Sequence, residues 1–294
     1  MADEYRRFGV TSSAAVEREI LLAAAFEAGA EGAEESEQDG RFRACIYANS
    51  NRIEAVRAVV IEAAASSTEV ESAESLPNVD WSDAWKEGLE ALRISQRLLV
   101  RPPFIDVALE PGQREIVIDP GQAFGTGEHA STRLCLEWID ILSEPSDAAG
   151  AFDRVLDVGT GSGVLALAAV ALGAKSAVGF DLDPVAIEAA RIAACRNGID
   201  AKVRFFAGPI DALGRPEERY PLVLANLLKR EMLPIASALA DRTDRSGRLV
   251  LAGLLEEDVE EVSARFLQEG LTEIGRRSRE DSIGRWVGLC LAFE

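Results

Sequence analysis

Two loops in this chain combine residue types that could hold a small charged ligand. The stretch DPGQAFGTGEHASTRLC, residues 119–135, carries Gly121, Gly125 and Gly127 together with the hydroxyls of Thr126, Ser131 and Thr132. A phosphate loop of the form G-x-x-x-x-G-K-[ST] sets a lysine against the phosphate charge. Here Thr126 takes the place of its second glycine, and Gly127 is followed by Glu128 and His129, so an acid stands where a nucleotide would need a cation. The second loop, LDVGTGSGV, spaces Gly159, Gly161 and Gly163 as G-x-G-x-G, and Val164 breaks the dinucleotide fingerprint G-x-G-x-x-G. Glycines let backbone approach a ligand that a Cβ would exclude. Asp181 lies 22 residues beyond Gly159, at the end of the next apolar run, where its carboxylate can accept the hydroxyls of an adenosine ribose. The pair points to an adenosine-containing cofactor.

Two kinds of adenosine cofactor then separate on charge. NAD carries a pyrophosphate, whereas S-adenosyl-L-methionine has none and bears a positive sulfonium. A loop with acids and no lysine suits the second. Zinc and disulfide scaffolds are not expected, because Cys45, Cys135, Cys195 and Cys290 are far apart and His129 is the sole histidine. The chain opens on MADEYRRFGV, with no apolar signal segment, and its longest apolar run, GVLALAAVALGA, falls short of a membrane helix. These features read as a soluble cytosolic protein without membrane contact. The 294 residues carry 31 basic and 50 acidic side chains, a net charge of −19 that repels nucleic acid directly and suits a basic protein partner, or simply keeps the surface soluble.

The elements that must position these loops follow from hydrophobic periodicity. Residues 1–75 show a β-α-β-β-α-β rhythm: a helix over 12–28 with Val16, Ile20, Ala23 and Ala24 on one stripe, a hairpin turning at Asp39-Gly40, a second helix with Ile53, Val56 and Val60 inward, and strand-like STEVE. That order predicts a small ferredoxin-like α+β domain. Residues 76–118 read as a connector, with Trp81 and Trp85 on one face of a short helix and RLLVRPPF as a strand halted by Pro102 and Pro103. Over residues 119–294 the apolar runs RVLDV, SAVGFD, VRFFA, PLVLAN and RLVLAGL alternate with helices, one of which takes Asp183 as its N-cap and Pro184 as its first residue. Alternation of this kind predicts an α/β fold around a parallel sheet, with ligands at the carboxyl ends of its strands.

DPGQAFGTGEHASTRLC, VLDVGTGSGVLALAA, GFDLDPVAIEAAR, LVLANLL and LAGLL, in this order and preceded by DWSDAWK, resemble the ribosomal protein L11 methyltransferase family from about Trp81 to the end. The resemblance implies a class I methyltransferase domain with a Rossmann-like sheet, joined to a substrate-recognition domain. It also implies methylation of lysine ε-amines and an α-amine on a ribosomal protein; relatives acting on the electron-transfer flavoprotein β subunit share much of the pattern. Carried over by motif, the S-adenosyl-L-methionine residues are Phe124, Gly125 and Thr132 of the first block, Gly159 and Gly161 of the glycine loop, Asp181 and Asn226. The chain departs from the family in Gln122 and in EHAST, where THPTT is more usual.

Asn226 also has a physical case as a catalytic group. Methyl transfer needs a neutral amine lone pair, and freeing a lysine at pH 7.4 costs roughly 4 kcal/mol. An amide oxygen beside the amine can orient it as the proton leaves. Asn226 is therefore read as orienting the amine, binding cofactor, or both. Glu128 and His129 form a tempting acid-base pair, though a lone loop histidine is more often structural. The competing class is a non-catalytic adenosine-binding module, which would bind cofactor without turnover.

Overall fold

The computed structural model describes residues 5–38, 41–65, 67–75, 89–120, 129–144, 152–214 and 217–294. The expectations for Trp81, Trp85, Phe124, Gly125, Glu128 and the Asp39-Gly40 turn lie outside the described residues. The chain divides into two compact units, Met1–Gly88 and Leu89–Glu294.

The first unit runs β1 (Tyr5–Ser12), α1 (Ala15–Glu27), β2 (Gly32–Gln38), β3 (Arg41–Asn49), α2 (Ile53–Ala63), β4 (Glu69–Val70) and β5 (Glu74–Ser75). Its antiparallel sheet has the order β2-β3-β1-β4, with β5 also on β1. Alternation along β1 and β3 sends Phe8, Val10, Ala44 and Ile46 into one core with the α2 stripe Ile53, Val56 and Val60. Helix α1 departs from the expected face. Val16 and Ile20 are 66% and 56% exposed, and Leu21, Leu22 and Ala25 are buried instead. Both stripes have helical spacing, so periodicity alone does not choose between them. Two leucines bury more apolar area than a stripe that includes two alanines, and packing takes the leucines.

In the second unit a three-stranded sheet, β6 (Leu92–Arg93), β7 (Leu98–Arg101) and β8 (Arg114–Val117), comes first. The stretch read as a connector is thus folded from Leu89 onward with the second unit. One polar clamp ties it there: the Asn197 side chain accepts from the Val117 N–H at 2.8 Å and donates to the Val117 carbonyl at 2.9 Å.

The main sheet has the order β11-β10-β9-β12-β13-β15-β14. Its strands are β9 (Arg154–Val158), β10 (Ser176–Asp181), β11 (Val203–Ala207), β12 (Tyr220–Asn226), β13 (Thr243–Leu255), β14 (Leu271–Glu280) and β15 (Arg285–Phe293). The first five in spatial order are parallel, and β15 runs antiparallel between β13 and β14. Both faces are covered. Val155, Leu222, Leu224 and Val250 pack with α3 (Ala130–Leu142), α4 (Val164–Ala171) and α5 (Pro184–Arg196). The alternate residues Leu156, Val158, Val223, Leu249 and Leu251 pack with α7 (Ala236–Arg242) and α8 (Val259–Leu267), which follow the single turn α6 (Lys229–Met232). Covering both faces is why these strands read as unbroken apolar runs.

Candidate active site

The loop after β9 is held from behind by a buried carboxylate. Asp157 Oδ2 accepts from the Thr160 hydroxyl at 2.6 Å and from the Ala166 N–H at 3.2 Å, so one side chain joins strand, loop and the first turn of α4. Burial pushes the Asp157 carboxyl up to about 6, partly offset by those two hydrogen bonds. The Thr160 N–H also reaches the Phe180 carbonyl at 2.9 Å. Gly159 has φ +68°, and a Cβ there would stand 2.5 Å from Leu227 Cδ2.

Asp181 closes the loop from the next strand. Its Oδ2 accepts from the Gly161 N–H at 2.9 Å and its Oδ1 from the Asp183 N–H at 3.0 Å. An ionised carboxylate offers about four acceptor positions, so about two remain for ribose hydroxyls. Asp183 then caps α5, accepting from the Val185 N–H at 2.8 Å, with Pro184 as the first helical residue as its sequence position predicts.

These groups open on a cavity of about 630 Å³ at the carboxyl ends of the strands, within the range usual for small-molecule sites. Gly161, Asp181, Leu182, Ile210 and Asp211 line its β10–β11 side. Asn226, Leu227, Glu231 and Gly253 line its β12–β13 side, with His129 and Trp286 as a further wall. Gly253 lies at a bulge in the β13–β15 pairing with φ +83°; a Cβ there would sit 2.4 Å from the Leu227 carbonyl oxygen. Only glycine lets β13 pass this close to the backbone that carries Asn226.

Asn226 ends β12. Its Nδ2 donates to Thr132 Oγ1 at 3.1 Å, and its Oδ1 is buried with no hydrogen-bond partner among the described residues. An unmatched buried acceptor is uncommon and marks a place where a donor is wanted. Thr132, on α3 and 1% exposed, is not among the described residues lining the cavity. What the structure gives it is a position behind Asn226, orienting the amide. His129 caps α3, its Nδ1 accepting from the Ser131 N–H at 3.3 Å and pairing with Ser131 Oγ at 2.8 Å, while its ring meets Trp286 edge-on at 4.5 Å between centroids.

Of the residues expected from sequence, the fold therefore brings Gly159, Gly161, Asp181 and Asn226 to one cavity, with Thr132 one contact behind. Sequence reasoning missed Asp157, Asp211, Glu231, Gly253 and Trp286. A carboxylate inside the apolar run RVLDV and a glycine inside RLVLAGL were both readable signals. Trp286 carried none. Its ring meets His129 only because β15 pairs with β13, which no local pattern announces.

The cavity's charge tests what could occupy it. Among the described residues lining it there is no lysine or arginine, while Asp181, Asp211 and Glu231 are present. Lys229, two residues before Glu231 in the chain, is held by Asp258 at 2.7 Å and Glu261 at 3.0 Å, and those hydrogen bonds raise its ammonium to about 12. A pyrophosphate would find no cation on this described wall. A sulfonium cofactor with a ribose for Asp181 fits the residues present. Among the described residues no group of three or more His, Cys, Asp or Glu side chains is placed to hold a metal ion, and no helix is long and apolar enough to cross a membrane.

A parallel sheet with a glycine loop after β9, an acid ending β10, and an antiparallel pair at the far edge defines a class I methyltransferase fold. The chain belongs to the Ribosomal protein L11 methyltransferase (PrmA) family, whose model matches residues 3–291. It is 39% identical over 214 residues to a ribosomal protein L11 methyltransferase of Geobacter sulfurreducens, covering 73% of this chain and 66% of that protein. It is 38% identical over 210 residues to one of Symbiobacterium thermophilum, covering 71% and 64%. These matches span slightly less than two thirds of the relatives' own length. A solved ribosomal protein L11 methylase from Lactobacillus delbrueckii subsp. bulgaricus superposes with a TM-score of 0.61 at 26% identity, over 69% of this chain and 98% of that one.

Proposed function

We propose that this protein uses S-adenosyl-L-methionine to methylate amino groups, lysine ε-amines and an α-amine, of a ribosomal protein of the L11 kind. The observation that carries the reading is the cavity wall: carboxylates, no described lysine or arginine, and the unmatched Asn226 Oδ1. Family membership supports the choice of substrate.

When bound, S-adenosyl-L-methionine supplies a methyl group activated by its sulfonium. The residues that would hold it are the Gly159–Gly161 loop and Asp181, together with Ile210 and Asp211 on the same side of the cavity. The chain's own work is to orient the acceptor. Asn226 Oδ1 accepts from the target amine and aims the amine's lone pair along the line of displacement, and Thr132 steadies the amide by accepting from its Nδ2. The proton released by the ammonium passes to water. The apolar wall of Leu227 and Trp286 limits water around the reacting atoms.

Residues 1–75 are proposed as the substrate-recognition domain. Between Glu17 and Glu74 there are thirteen acidic and five basic residues, an excess that steers a basic ribosomal protein. The test is incubation with methyl-labelled cofactor and a mixture of ribosomal proteins, followed by mass spectrometry. Label on amines of the L11 protein is expected. Cofactor binding without any transfer would instead support a binding module, and label on another protein would replace the substrate.

A further inference from the structure

We infer that Glu231 receives the protonated target amine at the mouth of the cavity, before Asn226 takes it as a neutral base. This rests on the amine-methylation reading above. The sheet order β11-β10-β9-β12-β13 puts Asp181 and Asp211 on one side of the glycine loop and Asn226 and Glu231 on the other. The carboxylates of the first side serve the adenosine end. Glu231 is then the one described carboxylate on the acceptor side of the cavity.

Its surroundings leave its charge available. Glu231 lies on α6, five residues after Asn226, with its side chain 50% exposed. Oε2 accepts from the Leu228 N–H at a long 3.4 Å, and Oε1 stands 3.8 Å from Nε of Arg230, itself 79% exposed. An ion pair of that length in water holds little. Lys229, on the same turn, is drawn to Asp258 and Glu261. Among the described residues, the other charged or titratable groups facing the cavity are His129 at the start of α3 and, across it, Asp181 and Asp211.

An incoming lysine must shed water before it reaches Asn226, and a half-exposed carboxylate at the entrance offsets part of that loss. The same carboxylate favours the charged amine and so raises its pKa. Once the proton has gone to water, the pull of Glu231 on the amine falls away while the dipole of Asn226 remains. Glu231 thus favours capture of the ammonium at some expense in the ease of its deprotonation.

The test is Glu231→Gln in the full-length protein, with ribosomal protein L11 as methyl acceptor. Removing one half-screened charge should raise the acceptor KM about 5- to 30-fold and leave cofactor affinity within about twofold. The rise of kcat with pH should also move to lower pH, by roughly half a unit to one unit, because the bound amine loses a neighbouring anion. An unchanged KM would overturn the assignment, as would a raised KM with an unmoved pH profile, which a merely structural effect gives. Weaker cofactor binding with normal KM would place Glu231 at the cofactor instead. If the proposed function itself fails, the wild-type protein methylates no amine; if only the role of Glu231 fails, wild-type turnover is intact and the variant matches it.

Discussion

Thr132→Val separates two roles that the same residue could play. Valine matches threonine in shape, so the buried site on α3 stays filled, but the Asn226 Nδ2 loses the acceptor it reaches at 3.1 Å. A buried donor left without a partner costs about 1–3 kcal/mol. The amide can avoid that cost by turning over, which removes the acceptor proposed for the target amine. Converted at about 1.4 kcal/mol per tenfold, kcat should drop roughly 5- to 150-fold. Thr132 is not among the described residues lining the cavity, so cofactor affinity should change by no more than about threefold. Thr132→Ser keeps an oxygen and should retain most of the rate. The assay is titration calorimetry for the cofactor beside initial rates of methyl transfer at saturating cofactor. An undiminished kcat would refute the orienting role. A loss of affinity large enough to explain the whole effect would make Thr132 a cofactor ligand, as the family motif implies.

Asp181→Ala removes a charged acceptor from the Gly161 and Asp183 N–H groups, and should lower cofactor affinity about 10- to 150-fold while the fold persists. Calorimetry showing unchanged affinity would sink that assignment. Gly253→Ala must adopt φ +83° and meet the Leu227 carbonyl at 2.4 Å, so β13 or Leu227 has to shift. Because Asn226 immediately precedes Leu227, turnover should fall on the order of 100-fold, well beyond any loss of stability seen in urea titrations. The Asp157 carboxyl, raised by burial to about 6, gives a pH signature. Its folded value lies above the unfolded one near 3.9, so its stabilising contribution is full below about pH 4 and is lost as pH rises through about 6, a change of roughly 3 kcal/mol. Asp157→Asn should therefore lose least, relative to wild type, at about pH 7; a difference in urea midpoint that is the same at about pH 4.5 and about pH 7 would contradict it.

Much of the fold was legible because local chemistry and the final packing agree. The five parallel strands are read from unbroken apolar runs, and they are unbroken because helices cover both faces. The Asp183-Pro184 start of α5 is set locally, by a cap and a fixed φ. Helix α8 buries Val259, Val262 and Phe266 as its period predicts. Where two solutions satisfy the same period, sequence reasoning had no basis for choice. Helix α1 offers a Val16-Ile20 stripe and a Leu21-Leu22-Ala25 stripe, and only the partner surface decides. The segment from Leu89 is a similar case: Pro102 and Pro103 mark the end of β7, but the clamp that fixes its place comes from Asn197, 80 residues beyond Val117.

The site divides along the same line. Gly159, Gly161 and Asp181 were readable because a loop and the strand beside it are consecutive in a β-α-β unit, so their spacing in sequence mirrors their spacing in space. Asn226 was readable as a strand end. Its partner was not, since the bond to Thr132 spans 94 residues and depends on α3 packing against β12 and β13. That bond changes what Thr132 means. A hydroxyl in a glycine-rich loop suggests direct ligation, whereas a hydroxyl buried behind an amide acts through that amide. With one Nδ2 hydrogen given to Thr132, Oδ1 is the unmatched acceptor of the Asn226 amide, and an acceptor suits an amine that must arrive with a hydrogen to share and a lone pair to spare.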